Sequence, residues 1–133
     1  MKKINWFLFT FIFSAIAFYS GCDDTGTEVD NQQLPDSDLS FRAHIQPIIE
    51  VKCNSSGCHD DGSRAGGLSL TSWVNVTADA SIVFPGEPQN SKLVWAIEGQ
   101  AGIQPMPPIG YAPLTPQQIR AIKTWIDEGA KNN

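Results

Sequence analysis

Cys53-Asn54-Ser55-Ser56-Gly57-Cys58-His59 places two thiols and an imidazole within seven residues. Covalent haem attachment needs this combination: each thiol can add to one haem vinyl group, and the histidine beside the second thiol is then brought to the iron as proximal ligand. The usual spacing is Cys-x-x-Cys-His. Here four residues separate the cysteines, so the two extra residues must bulge. Two other readings use the same side chains. A zinc site tolerates Cys-x4-Cys, but Cys58 and His59 are adjacent and the one other histidine is His44, so a fourth ligand is hard to find. A disulfide between Cys53 and Cys58 is reasonable chemistry outside the cytoplasm and leaves His59 unexplained. Haem accounts for all three groups.

An iron with one histidine needs a sixth ligand or an open position. In Gln104-Pro105-Met106-Pro107-Pro108 the three prolines remove backbone donors and fix φ, so the segment is a stiff extended loop and neither a helix nor a central strand. Met106 offers a soft neutral thioether from that loop. Together with His59 it would ligate the metal and raise its reduction potential. Taken alone, Met106 reads more readily as a core filler, and the neighbouring cysteine motif reverses that reading. His44 could instead supply a second imidazole, but it lies in the segment entering Cys53, where a surface position is expected.

Outward from the cysteines, Ile45, Ile48, Ile49 and Lys52 fall at helical spacing, with Pro47 tolerated in a first turn, so a short helix delivers Cys53. Leu68 and Leu70 alternate with polar neighbours after a Gly-rich stretch and read as loop. Pro85-Gly86-Glu87-Pro88 breaks the chain, and Asn90 or Ser91 can cap a helix through Leu93, Val94 and Ile97. Thr115-Pro116-Gln117-Gln118 is the clearest helix start, with Thr115 as cap, Pro116 at the first helical position and Gln118 completing a capping box. That helix buries Ile119, Ile122, Trp125 and Ile126 and stops at Gly129. Three to four helices joined by long loops make an all-α domain over 41–133.

The N-terminus has Lys2 and Lys3 followed by an apolar run to Tyr19, the pattern of an export signal over 1–21. The run is short of the roughly 20 apolar residues of a membrane span. Tyr19-Ser20-Gly21-Cys22 resembles a bacterial lipoprotein cleavage box, with Tyr19 where leucine is usual. Cys22 would then be acylated and hold the protein to the lipid bilayer, in the periplasm or at the outer membrane or cell surface. Residues 22–40 are polar and acidic without apolar period and read as a flexible tether. Without Lys2 and Lys3 the chain has 7 basic against 14 acidic residues, a charge of about −7. Nucleic acid is excluded as a partner, and redox partner proteins with basic docking surfaces are favoured. Asp60, Asp61, Asp127 and Glu128, beside glycines, read as solvated charges, not an acid–base pair.

The order of helix, Cys-x4-Cys-His, Met-Pro-Pro loop and C-terminal helix resembles the class I cytochrome c family, over about Phe41 to Ala130. Ile45-Gln46-Pro47-Ile48, Gly67-Leu68-Ser69-Leu70, Pro85 to Ser91 and Trp125 to Ala130 are similar to bacterial outer-membrane and planctomycete-type cytochrome domains. The resemblance implies haem c thioethers at Cys53 and Cys58, iron ligation by His59 and Met106, and an electron carrier that is not an enzyme. It also implies that the first and last helices cross, placing Trp125 against Ile48 or Ile49. Leu68, Leu70, Trp73, Val94, Trp95 and Ile97 are the expected crevice walls. Two alternatives stay open: a haem enzyme or gas-binding protein with a displaceable Met106, and a disulfide-held binding module without haem.

Overall fold

The structure, a computed structural model, describes residues 25–100 and 102–133. The expected export signal, Cys22 and the first residues of the expected tether lie outside them. Among the described residues the chain is all-α, without strands, in five short helices: α1 (Thr25–Asp30), α2 (Gln46–Lys52), α3 (Trp73–Val76), α4 (Lys92–Ile97) and α5 (Pro116–Asp127). None is long and apolar enough to cross a membrane.

The longest, α5, starts where its capping residues require. Gln118 N donates to Thr115 Oγ1 at 3.2 Å and Thr115 N donates to Gln118 Oε1 at 2.8 Å, satisfying two donors that a helix start leaves free. At the other end Ala130 N bonds Trp125 O and Gly129 N bonds Ile126 O, both at 2.9 Å, with Gly129 at φ 98°. This left-handed turn closes the helix and suits a residue without Cβ. Between the caps, Ala121, Ile122, Trp125 and Ile126 are buried in the core.

Pro47 shapes the entry to α2. Proline brings no N–H to continue the backbone ladder, and the turn before it widens: Phe41–Ile45 is π-helical and Gln46 N bonds Phe41 O. That extra residue per turn carries Phe41 into the core. Trp125 meets it there at a ring-centroid distance of 5.3 Å, and Ile48 and Ile49, expected beside Trp125, are buried in the same core cluster.

Residues 25–40, the described part of the segment expected as a flexible tether, make packed contacts with the domain. Leu34 and Leu39 are buried, and Gln117 Nε2 bonds Leu34 O at 3.3 Å. Glu128, expected to be solvated, accepts Asp38 N at 2.6 Å and Leu39 N at 2.8 Å. Asn133 Oδ1 accepts Phe41 N at 2.9 Å. The segment is held by isolated leucines and point hydrogen bonds, so it carries no periodic apolar signal.

Candidate functional site

The last turn of α2 presents Cys53, whose N–H bonds Ile49 O at 2.8 Å. Ser55, Ser56 and Gly57 then project as an exposed bulge. It turns back on Gly57 at φ 88°, a conformation that glycine adopts without steric cost. Cys58 N to Ser55 O at 2.9 Å and His59 N to Cys53 O at 3.1 Å close the loop, bringing the second thiol and the imidazole under the helix end.

Asp60 pins the bulge, accepting Gly57 N at 3.2 Å, Gly62 N at 2.8 Å and Ser63 N at 2.9 Å. The Ser63 hydroxyl and these backbone donors lower its carboxyl from 3.8 to about 2. A carboxyl lowered by folding contributes stability that is full above its ordinary value and lost as pH falls through the folded one. The stability gap between the wild type and Asp60→Asn is therefore expected to be widest above pH 3.8 and to shrink as pH falls toward about 2. Urea midpoints measured across that range read it directly.

Leu68 to Leu70 runs beside the motif as loop and is tied to it three times. Asn54 Nδ2 donates to Leu70 O at 2.9 Å, Leu70 N to His59 O at 2.9 Å, and His59 Nδ1 lies 3.3 Å from Leu68 O. A carbonyl oxygen can only accept, so Nδ1 carries the proton of that contact and Nε2 keeps its lone pair for a metal. On the other side Met106 N bonds Ala96 O at 2.9 Å, fastening the proline-rich loop to α4. The Ser91 hydroxyl, expected as a possible cap of α4, instead accepts Phe84 N at 2.9 Å and donates to Glu87 O at 3.1 Å, bracing the preceding loop.

Cys53, Cys58, His59 and Met106 all line one cavity of about 790 Å³, within the roughly 300–1,000 Å³ range of small-molecule and cofactor sites. Leu68, Leu70 and Ile97 stand in its wall as expected, whereas Trp73, Val94 and Trp95 do not. Trp73 Nε1 bonds Ala130 O at 2.8 Å and Trp95 Nε1 bonds Gln89 O at 2.7 Å, and Val94 is buried in the core. Leu93, expected only as part of the helix, and Ala96 share one face of α4 with Ile97 at helical spacing and line the cavity. Asp30 and Lys52 also line it, and no local pattern marks them. His44 lies outside the wall and accepts Ser40 N at 2.9 Å on Nδ1.

The two cysteines are free thiols, not joined to each other. Burial, and then the neighbouring Cys58, push the Cys53 thiol up to about 12. Such a group stays protonated at neutral pH, which opposes use as a thiolate nucleophile. Addition of S–H across a vinyl C=C, by contrast, consumes the thiol with its proton. Among the described residues no group of three or more His, Cys, Asp or Glu side chains could hold a bare metal ion. An apolar cavity, two thiols on its wall and an imidazole with a free Nε2 fit a covalently attached haem.

The family model described as Planctomycete cytochrome C matches residues 56–110, under half of the chain. The match takes in Cys58, His59 and Met106 and begins after Cys53. It supports a cytochrome c-like domain, and with it the haem and electron-transfer role of a c-type cytochrome. No curated protein and no solved structure gives a match.

Proposed function

We propose that this chain is an exported monohaem c-type cytochrome that passes single electrons through a haem held by Cys53 and Cys58 and ligated by His59 and Met106. The observation that carries this reading is the convergence of all four side chains on one cavity, with His59 Nδ1 committed to Leu68 O. When bound, haem supplies the one-electron couple. The chain's own residues bind and orient it. Cys53 and Cys58 tether one edge, the Leu68 contact holds the imidazole plane, and the Ala96 contact holds the Met106 loop. Leu70, Leu93 and Ile97 exclude water. With His59 and Met106 both holding the iron, the chain would offer no open metal site for a substrate, which favours an electron carrier over a haem enzyme. Acylation at Cys22 would keep it in the cell envelope beside redox partners with basic docking surfaces, consistent with the acidic balance of the chain.

The test is production in cells with a cytochrome maturation system, denatured-haem absorption of the purified protein, and the mass of the peptide containing Cys53 and Cys58. One haem per chain on that peptide is expected; a colourless product overturns the reading. Met106→Ala is expected to keep the covalent haem but lower the midpoint potential, because thioether ligation raises it. The same variant, once reduced, should bind carbon monoxide. Carbon monoxide binding by the reduced wild type would instead favour a gas-binding protein with a displaceable Met106.

A further inference from the structure

Lysine side chains are rarely buried, yet that of Lys52 is only 4% exposed. It closes α2 immediately before Cys53 and lines the same cavity as the cysteines. A buried ammonium needs a partner, and it has one: Asp30 Oδ1 lies 2.8 Å and Oδ2 2.9 Å from Lys52 Nζ. Gln118, buried on α5, locks the arrangement by donating Nε2 to Asp30 Oδ1 and to Val29 O, both at 3.1 Å. Asp30 also lines the cavity. It belongs to α1, in the segment whose composition points to a tether.

We infer that Asp30 and Lys52 act as a matched charge pair that sets the reduction potential of the haem from the sulfur-bearing wall of its cavity, which makes the α1 segment part of the redox site. This rests on the haem reading above. Oxidation adds one positive charge to the haem. An uncompensated cation in the wall opposes that charge and raises the potential; an uncompensated anion favours it and lowers the potential. Paired, the two largely cancel. The Lys52 ammonium, bonded to Asp30, also holds the aspartate below the ordinary carboxylate range. The other lysine in the wall, Lys92, is exposed and bonds Ser81 Oγ at 3.1 Å, so it is left unchanged as part of the background.

The experiment is a midpoint potential measured on the purified full chain for Asp30→Asn, Lys52→Met and the double variant. Asp30→Asn, which retains an oxygen for Gln118, is expected to shift the potential upward, Lys52→Met downward, and the double variant back toward wild type. Glu98→Gln is the control. It removes the same charge from the surface Lys123–Glu98 pair, which is outside the cavity wall, and should shift the potential less. A merely structural role would admit water in each variant and move the potentials in one direction. Shifts of one sign, or none, in haem-bearing variants overturn the inference and leave the haem reading standing. Absence of haem from the wild type overturns both. If Lys52→Met fails to fold, Asp30→Asn against Glu98→Gln decides: a shift no larger than the control, or a downward one, overturns the inference.

Discussion

Replacing both Cys53 and Cys58 with serine is expected to abolish covalent haem: after denaturation and acid–organic extraction, all haem should partition away from the polypeptide. The two sulfurs are free and stand on the wall of the same cavity as His59, and they are the only cysteine sulfurs among the described residues. Each single variant should keep haem through one thioether, read as haem mass on the peptide carrying the remaining cysteine. The Cys53→Ser variant is the more informative because the family match starts at Ser56 and does not include Cys53. If the haem absorption of that variant were unchanged from the wild type, with one thioether bond in both, Cys53 would be excluded as an attachment point. The four-residue spacing would then have to be read as a single-cysteine site.

Trp125→Ala is expected to cost about 3–5 kcal/mol of stability, the range for truncating a large buried aromatic side chain. That is a large share of the roughly 5–15 kcal/mol that holds a domain together. Trp125 is fully buried, packs on Phe41 at 5.3 Å and donates Nε1 to Lys131 O at 2.9 Å. Losing it opens a void between the Phe41–Ile45 turn and α5. Trp125→Phe keeps a ring against Phe41 and loses the indole donor, so its cost should be smaller. Urea denaturation of the purified protein measures both. A loss below about 1 kcal/mol for the alanine variant would mean that this junction does not hold the core.

Local chemistry made several features legible in the sequence. The start of α5 depends only on neighbouring residues: a threonine oxygen, a proline without N–H and a glutamine that reaches back. Its expected limits, Thr115 and Gly129, are where the capping bonds form. The bulge in Cys-x4-Cys follows from residue count alone, and Gly57 stands where the chain must reverse. The Met106 loop is neither helix nor strand because its prolines cannot make those ladders.

Other features depended on partners distant in the chain, which no local pattern encodes. The segment before Phe41 is polar and without period, yet Leu34 and Leu39 are buried and Asp30 reaches Lys52. Two leucines and one carboxylate gain their meaning only from the surfaces that receive them. Trp73, Val94 and Trp95 looked like crevice walls by hydrophobicity, but which face of a short helix meets a cavity is decided by packing against the rest of the core. The amino-acid order by itself determined the ends of α5, the loop carrying Met106 and which four side chains we propose for a haem. Only the tertiary structure decided that those four share one cavity and that an apparent tether contributes a charge to its wall, because convergence of distant residues follows from packing and not from spacing along the chain.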